Sequence, residues 1–432
     1  MVTTVGIRSR FAVPLYVGGA ALSLFGNSAI AIVLPWLVLA RTGDVTITAT
    51  VATVSGIATV PATVLGGRLA DRFGARRVAV LADIGSAVSV AALPVVDAVW
   101  GLDLMWFVIL GAVGALFDVP GMTARQALMA EVAETSGTKV DTVAGVFQAS
   151  FSLAFLAGPA LAGLLLGWFD PVTVVWVTAM CSALAGVLTW LLPVSPSIGA
   201  DHQATGRGGW QLIIGDRRLL AVLFISFAAT LITPPLLAVV LPAFYAGIER
   251  PELLGFTLSA FAVGSLLGAV LYALLSKRSR LPAYLAAMGM MTLGMVAVAL
   301  LASVPLIMVG MLLLGLGGGL FGPVWNVFIA EQLPTGTRGR VLGWFTAATM
   351  VAGPIGLGGL TLALTLTDMQ TAALALGIFW VFVAVLAVIS RDARAVATAP
   401  APEPRGADGD AAAPVADDGG ADGHHEAHGS QS

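Results

Sequence analysis

Twelve apolar runs of about twenty residues recur between Phe11 and Ser390, and each is long enough to cross a hydrocarbon layer of about 30 Å as a helix. They occupy roughly 12–40, 47–70, 78–97, 104–131, 142–167, 171–193, 218–244, 253–276, 282–303, 305–331, 340–366 and 369–390. Open sheets would leave edges unsatisfied in lipid, and the runs are too long and too unalternating for barrel strands. The fold class expected is an all-α membrane protein with twelve transmembrane helices in the lipid bilayer. Composition agrees: of 432 residues, 58% are hydrophobic and only 10% charged, more apolar surface than one soluble core could hide. A net charge of −3 speaks against nucleic acid as a partner. The single cysteine, Cys181, excludes disulfides and thiolate metal centres, so no metal or cofactor is expected.

Threading the spans back and forth with the N-terminus inside puts 19 of the 21 basic residues on the cytoplasmic side and leaves only Arg41 and Arg250 outside. That bias favours an even number of spans with both termini cytoplasmic. The polar stretch after Ser195 divides six spans from six, giving an N-terminal half (1–193), a central cytoplasmic loop (194–217) and a C-terminal half (218–390). Three matches relate the halves: Gly111-x-x-Gly114-x-Leu116-Phe117 with Gly315-x-x-Gly318-x-Leu320-Phe321 at offset 204, Gly158-Pro159 with Gly353-Pro354 at 195, and Gly66 to Arg76 with Gly268 to Arg278 at 202. They read as parallel six-helix repeats, an arrangement of secondary transporters. From Arg391 to 432 the chain turns to Ala, Pro, Gly and Asp and is expected to be a disordered tail, with its His424, His425 and His428 solvated rather than holding metal.

The turn between the second and third spans reads Gly66-Gly67-Arg68-Leu69-Ala70-Asp71-Arg72-Phe73-Gly74-Ala75-Arg76-Arg77. It resembles the signature loop of the major facilitator superfamily. Gly66 and Gly67 are expected to permit close helix approach. The resemblance implies that Asp71 faces the start of the eleventh span, near Gly336–Arg340, in a cytoplasmic gate that also includes Arg72, Gly74, Arg76, Arg77, Arg125, Arg338 and Arg340. A merely positive-inside turn is the alternative. In the fifth span, Gly158-Pro159-Ala160-Leu161-Ala162-Gly163 resembles the antiporter motif of drug-exporting branches, with Ala162 where a second glycine is common; Gly158, Pro159 and Gly163 are its candidates, against a plain proline kink with small packing residues. Phe117-Asp118-Val119-Pro120 with Ala124-Arg125-Gln126-Ala127-Leu128, and Glu331-Gln332-Leu333-Pro334 with Arg338-Gly339-Arg340-Val341, look like the proton antiporter branch that holds macrolide-efflux and enterobactin-export proteins.

Two acids lie within spans, and an ionisable group at membrane depth is a functional candidate. Asp118 falls about 18 Å into the fourth span at 1.5 Å per residue, where it could carry a proton. Arg125 shares its helix face, so a cytoplasmic gate or an Asp118–Arg125 charge network is the competing reading. Its repeat counterpart is Gly322, which confines the role to the first half. Asp83, seven residues from Arg76, reads as an interfacial structural pair, and the resemblance makes the third span peripheral. The resemblance also supplies cavity-lining helices, whose candidates are Asn27, Trp36, Phe147, Gln148, Phe151, Trp325 and Asn326; each could equally be a packing residue.

Gly317-x-Gly319-x-x-Gly322 imitates a nucleotide fingerprint but lies inside an apolar span with no preceding strand, so Gly315/Gly319 and Gly318/Gly322 read as helix-packing surfaces. No Gly-x-x-x-x-Gly-Lys-Ser/Thr sequence occurs, and no histidine lies in any span, which leaves neither ATP hydrolysis nor an intramembrane enzyme as the expectation. The expected function is secondary efflux of hydrophobic drugs or natural products by a monomer using alternating access and proton antiport. The alternatives are a metabolite importer or facilitator, a siderophore exporter, or a sensor on a transporter scaffold.

Overall fold

The computed structural model describes residues 2–194, 209–276, 280–333 and 335–398. Among them there is no strand, and twelve helices are long and apolar enough to cross a membrane: Phe11–Thr42, Val45–Thr63, Ala75–Val99, Leu104–Ser136, Val140–Trp168, Pro171–Trp190, Arg217–Gly247, Pro251–Leu275, Leu281–Ala299, Val304–Ile329, Val341–Leu366 and Met369–Ile389. They are called spans one to twelve below.

Local chemistry starts and stops these helices. Asp44, Asp103, Asp170, Asp216 and Asp368 cap spans two, four, six, seven and twelve by accepting hydrogen bonds from backbone N–H groups of the first turn. Asp170 and Asp368 begin the last span of each half alike: each also accepts from the threonine hydroxyl three residues on, Thr173 at 2.7 Å and Thr371 at 2.6 Å. These bonds hold both exposed carboxyls below their ordinary range. Gly74 joins spans two and three at φ 85°, a conformation that side chains strain to adopt.

Packing repeats between the halves. Span two lies on four, and three on four and six; correspondingly eight lies on ten, and nine on ten and twelve. Both halves use glycine at the crossing of their second and fourth helices. A Cβ on Gly66 would stand 3.0 Å from Pro120 Cα, while Gly315 and Gly319 lie against the backbone of Phe261 and Ser265. Gly67 faces open space, so the close approach expected of the pair belongs to Gly66 alone. Likewise Gly318 and Gly322 have no neighbour within 4 Å and do not form a packing surface.

The halves meet along spans five and eight and along two and eleven. The named contacts all lie toward the end that carries Arg41 and Arg250: Ser259 Oγ donates to Leu156 O at 2.7 Å, the hydroxyls of Thr53 and Thr361 are 3.0 Å apart, and Phe155 meets Phe261 edge-on at 6.2 Å. Span seven departs from the regular pattern. Pro234 and Pro235 lack N–H donors, and after them the helix widens into one π turn, Leu236–Val240, that touches spans one and two.

Two segments outside the spans are helical. Gly209–Gly215 lies in the central loop with Ile213 fully buried. Arg391–Thr398 corrects the expectation that disorder begins at Arg391: Ala393, Val396 and Ala397, at i, i+3 and i+4, are buried, and this helix packs on span seven. The three tail histidines lie outside the described residues.

Candidate functional site

The site is a chamber in the N-terminal half. A cavity of about 260 Å³ lies among spans one to four, with Ala238 of the π turn and Leu357 of span eleven at its edge. Its wall is mostly aliphatic; the polar groups include Asn27, Ser55, Ser86, Ser89 and Asp118. Glycine sets how closely spans two and four approach at the wall. Gly111 lines the chamber, and a Cβ there would come within 2.8 Å of Ser55 Oγ.

Asp118 supplies the wall's carboxylate, and its Oδ1 is shielded from solvent with no hydrogen-bond partner. The expected Asp118–Arg125 network does not form. Arg125 turns away to Asp83 on span three, with side-chain exposures of 3% and 4%, and it also donates to Thr189 Oγ1 at 3.0 Å. Ser23 Oγ donates to Asp83 Oδ1 at 3.0 Å, and Tyr16 Oη donates to the Arg125 carbonyl at 2.8 Å. Asp83 is therefore no interfacial partner of Arg76, whose guanidinium bonds the Trp190 carbonyl instead. The consequence is electrostatic. Asp83 is neutralised by a cation, while half-buried Asp118 faces a mostly apolar chamber with Ser86 as its hydrogen-bond neighbour and no cation paired with it among the described residues. Span three is not peripheral here, because Ser86 and Ser89 stand in the wall one and two turns beyond Asp83.

The remaining candidates divide. Asn27 lines the chamber, whereas Trp36 borders a separate cleft between the halves near Arg250. Phe147 is a core residue, 4% exposed and set against Tyr16 with ring centres 6.0 Å apart, which removes it from a cavity wall. Phe151 stacks on Phe155, and Trp325 on Phe345 at 4.1 Å; Gln148 and Asn326 are exposed. At the signature loop Asp71 is half-buried, Arg77 is exposed and Arg72 stands over the Phe73 ring. The side chains of Arg338 and Arg340, and so the expected contact of Asp71 with residues 336–340, lie outside those described.

Gly158 and Gly163 serve different neighbours. A Cβ on Gly158 would stand 2.7 Å from Ser28 Cβ of span one, and on Gly163 it would stand 2.7 Å from Pro251 O and 2.9 Å from Gly255 Cα of span eight. Gly163 thus sets how closely the halves approach. Its replacement by Val is expected to cost about 1–3 kcal/mol of overpacking in this closed arrangement. In a Cys181→Ser background, a cysteine placed at Trp36 in the cleft should then label with maleimide about tenfold faster. An unchanged rate would mean that the contact does not hold this end shut.

One ion pair joins residues that no spacing along the chain connects. Arg280, before span nine, grips Glu331 after span ten with both terminal nitrogens at 2.6 and 2.5 Å. Arg280 hydrogen bonding holds the Glu331 carboxyl below its usual range. The stabilisation is fully present above the ordinary carboxylate value of about 4.3 and is lost as pH falls through the lower folded value. For this partly exposed pair, Glu331→Gln is expected to cost about 1 kcal/mol at neutral pH, read as a lower Tm, and the gap to wild type should close in acid.

A model of the major facilitator superfamily matches residues 16–250 and 236–417. The chain belongs to the major facilitator superfamily. This family member is 32% identical over 343 residues to the multidrug efflux pump Tap of Mycolicibacterium fortuitum, covering 77% of the chain and 84% of that protein. It is 31% identical over 357 residues to Tap of Mycobacterium tuberculosis (strain ATCC 25618 / H37Rv), covering 79% and 84%. The nucleoside transporter NupG superposes with a TM-score of 0.71 at 14% identity, covering 88% of the chain and 97% of NupG. A D-xylose-proton symporter gives 0.65 at 16%, with 87% and 97% covered. These two solved structures bear on the fold alone. The family member is a multi-pass membrane transporter rather than an enzyme.

Proposed function

We propose that the transporter exports lipophilic drugs or natural products across the cytoplasmic membrane in exchange for protons, by alternating access, with both termini inside. The observation that carries this reading is Asp118, an uncompensated carboxylate with one buried, unpartnered oxygen in an apolar chamber. An anion in such surroundings is costly, so a proton or a cationic ligand neutralises it and the two compete. That competition is what antiport requires. Support for export comes from the relatives named multidrug efflux pumps and from Gly163 of the antiporter-like segment lying where the halves touch. The halves are then closed at the Arg41/Arg250 end, and rocking about spans two, five, eight and eleven opens it.

The test is dye accumulation in cells lacking their own exporters, with and without a proton uncoupler. Expression should lower accumulation, and the uncoupler should restore it. Unchanged accumulation across a broad panel of lipophilic ligands would overturn export, and uncoupler-insensitive efflux would overturn proton coupling.

A further inference from the structure

The C-terminal half holds a chamber at the place equivalent to the first. Its volume is about 270 Å³, against about 260 Å³. Corresponding wall residues recur at the repeat offsets: Ser89 and Leu93 become Met291 and Met295 at 202, and Leu110 and Gly114 become Leu314 and Gly318 at 204. Gly318 faces open space, so its missing side chain is part of the cavity. What differs is the chemistry. Among the described residues, the wall of the second chamber holds no ionisable side chain. Its notable polar feature is Trp380 of span twelve, a wall residue fully buried in the protein, whose indole Nε1 is shielded with no hydrogen-bond partner. The hydroxyl protons of Thr230 and Thr233, also in the wall, are already donated to carbonyls of their own helix at 2.8 and 2.7 Å.

We propose that this chamber is a second ligand subsite, one that takes the uncharged, hydrogen-bond-accepting part of a lipophilic molecule, such as a ketone, ester or ether. Trp380 donates to the acceptor oxygen. Met291, Met295 and Met311 form a wall that adjusts to different shapes, because thioether side chains are unbranched and polarisable. A buried N–H without a partner favours an acceptor over a hydrocarbon of the same size. Duplication has thus left two chambers of like size, one presenting a carboxylate and the other a neutral donor. The identity of the physiological occupant rests on the reading of the protein as a carrier of lipophilic compounds; occupancy itself does not.

The experiment therefore reads binding and not transport, so its outcome is separate from that of the export assay. The full-length protein is labelled with 13C at the methionine methyl groups, and the three wall methionines are assigned by single substitution to Leu. Acetophenone and ethylbenzene, similar in size and differing in the carbonyl, are titrated in turn. The expected result is that acetophenone shifts the three resonances with about fivefold higher affinity than ethylbenzene, one neutral hydrogen bond's worth. In Trp380→Phe the preference should vanish while ethylbenzene still binds. In Gly318→Leu, which fills the space, neither probe should shift them. The proposal is overturned if the three resonances do not move, if wild type binds both probes equally, or if the preference survives in Trp380→Phe or binding survives in Gly318→Leu.

Discussion

Asp118→Asn transporter, reconstituted in vesicles, is expected to lose uphill export while continuing to exchange labelled for unlabelled substrate. A pH difference of one unit stores about 1.4 kcal/mol per proton, enough to hold about a tenfold gradient of a neutral substrate exchanged one for one. The wild-type gradient should fall to equilibrium in the variant, because Asn keeps the size and polarity of the side chain but cannot bind and release a proton. Counterflow asks only that the loaded carrier reorient. Both readouts are needed: loss of both would indicate a damaged site, and unaltered proton-driven export would remove Asp118 from the coupling role. The position of the residue makes the effect large, since Asp83, 4% exposed, is held by Arg125, Ser23 and their neighbours and is not available as a substitute carrier.

The second large effect concerns that pair. Arg125→Met would leave the Asp83 carboxylate buried without its cation, and breaking a buried pair in this way costs about 3–5 kcal/mol. The single variant should show a strongly lowered Tm and poor recovery of monodisperse protein. The double variant Asp83→Leu/Arg125→Met, which removes both charges together, should regain most of the loss, because taking two ions out of water is itself expensive. Thermal unfolding of the wild type, both single variants and the double variant closes the cycle. Should the losses of the two single variants simply add up to that of the double, the pair would contribute no coupling. An independent check is export at a fixed gradient: if the pair only positions span four, the double variant keeps proton-driven transport with Asp118 intact.

Much of this fold was legible because membrane helices announce themselves by length and apolarity. Every expected span has a counterpart, and most ends lie within a few residues of those expected. Span six starts at Pro171 as expected, fixed by the Asp-x-x-Thr cap at Asp170, while span one runs on to Thr42 and span four to Ser136, where Gly137 ends it in the left-handed conformation. The short helix 391–398 was missed because its stripe, Ala393, Val396 and Ala397, is only three residues long and sits among charges. Within the site the partner of Asp83 differs from the one its own helix suggests. Separation along one helix face suggested Arg76, but the partner comes from span four, 42 residues away. A signal was present all the same: Asp83, Ser86 and Ser89 recur every third position in an otherwise apolar span, marking a polar face that looks inward.

By itself, the sequence determined twelve spans, their duplication and the superfamily-like loop, all of which depend on periodicity and spacing read along the chain. Only the tertiary structure decided that, of Asp83 and Asp118, it is Asp83 that is paired with a cation. Whether a carboxylate is neutralised depends on which helix packs beside it, and no pattern within one span encodes its neighbour across a crossing. The same holds for the two chambers: the glycines of their walls are visible as residues, but whether a missing side chain admits a helix, as at Gly66, or leaves a cavity, as at Gly318, is settled only when the other walls are in place.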